Sequence, residues 1–187
     1  SQVRDFQWLK HHIPDDADAE LADITEDIAV LGVMGPASRA LFSEVSDADL
    51  SNEGFPFQTS REIDIAGARV RASRITYVGE LGWELYIPVD GAAAVFEALQ
   101  DAGKSHGLAL AGIHAMNSLR IEKAYRHWGH DIGDQDTPLE AGLSFAVGWD
   151  KPGGFIGLEA LSEQRQGGVK RRLVQFALED PEPLLYG

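Results

Sequence analysis

Two side chains stand in settings where their chemistry could be put to use. Glu80 lies in Tyr77-Val78-Gly79-Glu80-Leu81-Gly82-Trp83, where flanking glycines let the backbone turn sharply and aim a carboxylate into a cleft between two aromatic rings. A carboxylate so placed pairs well with an amidine-like N–H edge, such as a pterin or guanine presents, because two parallel hydrogen bonds form at once. The same spacing also suits an ordinary strand-turn glutamate facing water. Arg120 falls on a predicted helix with Ala115, Met116, Leu119 and Lys123 at helical spacing, and Tyr125 and Trp128 follow beyond its end. Its guanidinium could clamp a substrate carboxylate. It could equally form an ion pair with Glu122 or another acid.

Other constellations carry less. His127 and His130 could share a metal, but no third histidine stands nearby and no predicted helix holds their spacing. Asp131-Ile132-Gly133-Asp134-Gln135-Asp136 begins like a calcium loop, yet Gly142 stands where the bidentate glutamate belongs. Gly35-Pro36-Ala37-Ser38 has too few glycines for a phosphate loop, and Gly79-Glu80-Leu81-Gly82 runs into a strand rather than a helix. The chain has no cysteine, which excludes a thiolate metal site, a disulfide and a cysteine nucleophile within these residues.

The 187 residues carry a net charge of −14, with 44% hydrophobic and 25% charged residues. That is the composition of one globular domain with a sizeable core. The acidic balance opposes non-specific binding to nucleic acid or an anionic membrane, which rewards excess Lys and Arg. No apolar run approaches the roughly 18 residues of a membrane span, and the first residues do not form a signal peptide. The Ser1 start and the strand-like Leu184-Leu185-Tyr186 after Asp180-Pro181-Glu182-Pro183 read as the ends of a piece cut from a longer protein.

The elements that must position Glu80 and Arg120 are legible in the pattern. Asp15, Asp16, Asp18, Glu20, Asp23, Glu26 and Asp27, with no basic residue among them, predict a solvated face or loop. Residues 28–33 form an apolar run expected to be a buried strand, and Gly35-Pro36 starts a helix bearing Ala37, Ala40, Leu41 and Val45. Two strand-like pieces flank a hairpin turn at Ala66-Gly67. Residues 71–88 are expected to form a long strand pair interrupted at Gly79-Glu80-Leu81-Gly82, with Trp83, Leu85 and Ile87 on one parity and Glu84 and Tyr86 on the other. Asp90 is the expected N-cap of a helix over 91–100, with Gly103 or Gly107 as its stop. A second helix is expected over 114–125, a loop over 129–138, and a last strand over 169–178. Strands and helices mix without a regular βαβ cadence, so the predicted class is α+β with mixed or antiparallel sheets and packed helices.

Three blocks in order tie these pieces together. The segment from Arg74 to Leu85 resembles the Arg-x-x-Tyr-Thr-Gly-Glu-x-Gly-x-Glu-hydrophobic signature of the glycine cleavage T-protein family of aminomethyltransferases. Residues 117–132 with Thr137-Pro138-Leu139-Glu140-Ala141-Gly142-Leu143 resemble that family's second block, and Val30 to Pro36 supplies a third. The wording Glu122-Lys123-Ala124-Tyr125-Arg126-His127-Trp128-Gly129 is similar to the dimethylglycine and sarcosine dehydrogenases, in which a flavin domain precedes the folate domain.

That resemblance implies a tetrahydrofolate-binding domain over residues 1–165 and the first strands of a C-terminal β-barrel domain over 166–187. It implies that Glu80 bonds the pterin ring, that Tyr77 and Trp83 shape the pocket, and that Arg120, Tyr125 and Trp128 line the folate cleft. The family's catalytic aspartate would lie upstream of this chain, so no catalytic residue is assigned within it and no metal is expected. FAD would sit in an N-terminal flavin domain of the same polypeptide and oxidise an N-methyl amine, whose one-carbon unit folate captures as methylene-tetrahydrofolate. The piece alone is then expected to be inactive. The alternatives are an aminomethyltransferase of glycine cleavage, fed by a lipoyl carrier protein, and a non-catalytic folate-binding module. The implied setting is bacterial cytoplasm, or the mitochondrial matrix in a eukaryote, with no nucleic-acid or membrane partner.

Overall fold

The computed structural model describes residues 2–179, and the chain divides into two units, Ser1–Ala111 and Gly112–Gly187. The first unit begins with α1 (Gln2–His12), a helix the sequence pattern did not predict and in which no residue is buried. Its apolar residues Val3, Phe6 and Leu9 recur at helical spacing, but none is fully buried. Its ties are local, a 2.7 Å bond between His12 Nδ1 and the Trp8 carbonyl, and a 2.7 Å bond from Gln2 Nε2 to Asp23 Oδ2 in the exposed acidic loop.

Four strands, β1 (Ile28–Met34), β2 (Ser60–Ile65), β3 (Ala68–Ser73) and β4 (Gly82–Pro88), form one antiparallel sheet in the order β1-β4-β3-β2. The β2–β3 hairpin turns on Ala66 and Gly67, both left-handed at φ 49° and 79°. That pair of positive φ values is what a two-residue turn needs to follow the right-handed twist of its strands. Along β4 the expected alternation holds: Trp83, Leu85 and Ile87 point into the core, while Glu84 and Tyr86 face outward and bond to each other at 2.9 Å.

The helices α2 (Ser38–Val45) and α3 (Ala92–Gly103) cover the inner face, burying Leu41, Phe42, Val95 and Leu99 against Ile63, Ile65, Val70 and the β4 row. Trp83 lies at the centre at 1% exposure, with Phe42 and Phe55 edge-on to it at centroid distances of 5.2 and 6.1 Å. Aromatic rings favour this geometry because positive ring edges meet a negative face.

Several expectations need correction. The 28–33 run is an edge strand paired only with β4, not a buried one: Val33, opposite Trp83, is alone fully buried there, and Val30, opposite outward-facing Tyr86, is 54% exposed. Asp90 does not cap α3. It sits inside a 3-10 turn, Val89–Gly91, and the cap position falls to Gly91 with no side-chain bond. Both expected stops are used, since α3 ends at Gly103 and a 3-10 turn over Lys104–His106 ends at left-handed Gly107.

The second unit contains α4 (Ile113–Glu122) and α5 (Leu158–Gly167), the latter also unpredicted. Helix α4 stops short of residue 125 because Ala124 adopts φ 58° and turns the chain away. Residues 169–178 carry no strand: among the described residues no ladder partner meets them, and extended backbone without one is not a sheet. They are tied down instead by Leu173 N–H to the Glu140 carbonyl at 2.9 Å, by Arg171 on Glu140 and Asp136, and by the Gln175 amide on the Ile121 carbonyl. Among the described residues of this unit only Arg120 and Ala141 are fully buried, so polar contacts set its shape.

Candidate functional site

In the first unit the connection between β3 and β4, residues 74–81, carries Tyr77 and Glu80, both half-buried. It is fastened at both ends. At its start Arg74 donates from Nη1 to the Phe55 carbonyl at 2.6 Å and from Nη2 to Asn52 Oδ1 at 2.8 Å, and its guanidinium lies 5.9 Å from the Trp83 ring centroid. In the middle, the Gly79 N–H donates to Thr76 Oγ1 at 3.0 Å, with Gly79 itself at φ 76°. At the far end the Leu81 carbonyl accepts both the Gly35 N–H at 2.7 Å and the Ser38 hydroxyl at 3.0 Å.

Glu80 is thus the residue between two pinned neighbours. Gly82, immediately after, touches β1 so closely that a Cβ there would lie 2.5 Å from the Val33 carbonyl oxygen and 2.8 Å from Met34 Cα. The glycines flanking Glu80 therefore serve different needs, a left-handed turn at Gly79 and a close backbone approach at Gly82. Trp83 lies beneath this loop in the core and has no exposed face to offer a ligand. Its indole N–H is buried without a hydrogen-bond partner.

In the second unit Arg120 is 6% exposed, and its guanidinium is engaged within the unit through its Nη atoms, while Nε is buried without a hydrogen-bond partner. It donates to the Tyr125 carbonyl at 3.0 Å and forms an ion pair with Asp131, which also accepts the His127 N–H at 2.8 Å. Of the two expectations for Arg120, the structure shows an ion pair, and the acid is Asp131 rather than Glu122. Spacing alone did not point to Asp131, which first drew attention as part of a calcium-like string. Tyr125 is half-buried and Trp128 is 50% exposed, so these are the candidates of this unit with accessible ring surface.

Arg126, which the sequence reading passed over, bonds the Ala141 carbonyl at 2.9 Å and the Ala124 carbonyl. His127 and His130 lie with ring centroids 4.5 Å apart. Among the described residues no group of three His, Cys, Asp or Glu side chains is placed to hold a metal ion. Thr137 and Glu140 cap each other reciprocally at 3.1 to 3.2 Å, and Arg171 bridges Glu140 and Asp136 at 3.2 and 3.1 Å. These pairs edge a cleft of about 170 Å³ that Asp131 also lines.

The electrostatics yield a first expected outcome. Burial pushes the Asp131 carboxyl up, but the His127 N–H and Arg120 outweigh it and hold it below the ordinary aspartate value. The Thr137 N–H, then Arg171, hold Glu140 below its ordinary value as well. A carboxyl lowered in the folded state gives stability that is present above the ordinary carboxylate range and lost as pH falls through the folded value. The urea midpoint should therefore hold near neutrality and drop below about pH 4, and Asp131→Asn should flatten that drop. A midpoint whose acid slope is the same in the Asn variant would show that Asp131 has no part in it.

With the geometry in place, residues 1–151 match the profile of the GCVT N-terminal domain. Human mitochondrial sarcosine dehydrogenase is 51% identical over 165 residues, covering 88% of this chain and 18% of that protein. Human mitochondrial dimethylglycine dehydrogenase is 39% identical over 186 residues, 98% of this chain and 22% of that protein. The chain thus spans about a fifth of the length of these curated relatives. The crystal structure of the glycine cleavage system aminomethyltransferase T from Bartonella henselae superposes with a TM-score of 0.63 at 29% identity, over 75% of this chain and 37% of that one.

Proposed function

The chain belongs to the GCVT N-terminal domain family, and from that premise we propose that it is the tetrahydrofolate-binding portion of an FAD-dependent dehydrogenase of N-methyl amines, of the sarcosine and dimethylglycine type. The printed names of its relatives support the reaction class. The observation that carries the reading is the Glu80 loop, a half-buried carboxylate on backbone pinned on either side and backed by a filled core. A carboxylate is the acceptor that the amidine-like N–H edge of a pterin requires, so the residue present fits the group. Bound folate supplies the amine that accepts the one-carbon unit.

The work of this chain is then binding and orientation. Glu80 accepts hydrogen bonds from the pterin edge, Tyr77 flanks it, and Trp83 supports both from below. Fixed polar groups of this kind lower a barrier by holding the reactants, not by exchanging protons with them. Tyr125 and Trp128 are the aromatic contacts we assign to folate in the second unit. We place FAD and the oxidation in a flavin domain elsewhere in the polypeptide, and the catalytic aspartate upstream. Residues 1–165 belong, on this reading, to the folate domain and 166–187 to the start of a barrel domain. The mitochondrial names of the human relatives suit a matrix location in a eukaryote, with bacterial cytoplasm as the counterpart.

The test is calorimetric titration of the full-length protein with tetrahydrofolate, beside a Glu80→Ala variant. A pair of charge-assisted hydrogen bonds is worth roughly ten- to a hundredfold in affinity, and the variant should lose that much. Equal binding by both proteins would show the pterin role of Glu80 to be wrong, and no binding by the parent would remove the folate reading altogether. The likeness to aminomethyltransferase T supports a second reading, in which the one-carbon donor is an aminomethyl-lipoyl carrier. Turnover of sarcosine or dimethylglycine by the full-length protein decides against it.

A further inference from the structure

We propose that Arg120 and Asp131 are a positioning pair, holding the 123–132 loop in the shape that presents Tyr125 and Trp128 to a flat ring of folate; this rests on the folate reading above. Backbone bonds close its turns, among them Tyr125 N–H to the Arg120 carbonyl and Asp131 N–H to the His127 carbonyl, both at 2.9 Å. It contains no helix or ladder, only the isolated bridge between Trp128 and Ile132, and it reverses direction at Ala124 and Gly129, with φ 58° and 86°. No fully buried apolar side chain lies within it. A segment without an apolar anchor takes its shape from its polar bonds.

To these backbone bonds two guanidinium groups add side-chain ones. Arg120, the one buried residue of α4, grips the carbonyl of Tyr125, and Asp131 grips the N–H of His127, so the ion pair clasps the backbone on both sides of Arg126. Arg126 makes the second clasp, from the Ala124 carbonyl to the Ala141 carbonyl. Space for it is reserved at Gly142, where a Cβ would stand 2.7 Å from Arg126 Nη2 and where φ is 70°. Trp128 emerges directly after the clasped stretch, half exposed, and the Gly129 N–H closes the turn on the Ile132 carbonyl at 2.8 Å. An aromatic surface fixed before the ligand arrives avoids the cost of ordering it at binding. Arg120 and Asp131 thus act on the ligand through Tyr125 and Trp128, without touching it.

The experiment uses the full-length protein and two readouts. Amide hydrogen exchange is measured without ligand across 124–131 and, as a folding control, across β2 to β4; tetrahydrofolate affinity is measured separately. Asp131→Asn is expected to speed exchange in 124–131, to leave the sheet protected, and to weaken binding about tenfold, while Asp131→Glu restores part of both. Trp128→Leu is expected to weaken binding with exchange across the loop unchanged. Unchanged exchange in Asp131→Asn overturns the pair as the holder of the loop. Faster exchange with unaltered affinity overturns its role toward the ligand and leaves a merely structural pair. If the parent protein fails to bind tetrahydrofolate, the folate reading fails and takes the ligand half of this proposal with it, while the exchange data still judge the clasp.

Discussion

Replacing Trp83 by alanine is expected to lower the unfolding free energy by about 3–5 kcal/mol, read from the urea midpoint at unchanged slope. The indole is the largest fully buried side chain, and it touches the helix layer through Phe42 and the 50s loop through Phe55. Removing it leaves a cavity bounded by elements that cannot all move inward. Trp83→Phe should cost far less. It keeps an aromatic ring among the others and deletes an indole N–H that is buried without a partner, a group whose desolvation nothing offsets. A loss in the Ala variant of under about 1 kcal/mol would mean that Trp83 is not the packing centre described above. Arg74, at the start of the Glu80 loop, lies 5.9 Å from this ring, so on the proposed folate reading the Ala variant should also lose tetrahydrofolate affinity, and the Phe variant should keep it.

Gly82→Ala is the second large effect, expected to cost about 3 kcal/mol. Most small-to-large changes in a core push against a side chain that can rotate. Here the new methyl would meet the Val33 carbonyl oxygen and Met34 Cα, backbone atoms of the paired strand. Relief requires β1 and β4 to separate at the point where the Leu81 carbonyl also holds Gly35 and Ser38. Gly32→Ala is the matched control, since its added methyl would find Met34 Cε at 3.6 Å, an ordinary contact. Equal costs for the two variants, measured by urea unfolding, would remove close backbone approach as the reason for glycine at 82.

The sequence was most legible where local chemistry and tertiary packing ask for the same thing. The Ala66-Gly67 turn and the Trp83-Leu85-Ile87 row each read correctly because the turn type or the apolar period was already the one the sheet uses. The α2 stripe read only in part, since Leu41 is buried but Ala40 is exposed and Phe42 takes the core position, and the strand expected up to Gly79 ends at Ser73. What failed was whatever depends on a neighbour in space. The 28–33 run looked buried, and only the strand order places it at an edge. The 169–178 stretch had the composition of a strand, but composition supplies no partner. Helices α1 and α5 were not read from the sequence, and neither buries a residue fully. The partner of Arg120 was not legible, because Asp131 lies eleven residues on, across a loop whose path spacing alone does not give.

The order of the strands also sets a schedule. The β2–β3 hairpin joins neighbours across a two-residue turn and can zip as soon as that turn forms, whereas β1 must wait for β4, separated from it in sequence by α2 and the whole hairpin. Closing so long a loop is slow, and the contacts that reward it arrive late. Strand β1 is then the last rail to be laid. Since the Gly35 N–H that fastens the Glu80 loop follows directly on that strand, the carboxylate reaches its final setting only when the slowest pairing of the sheet is complete.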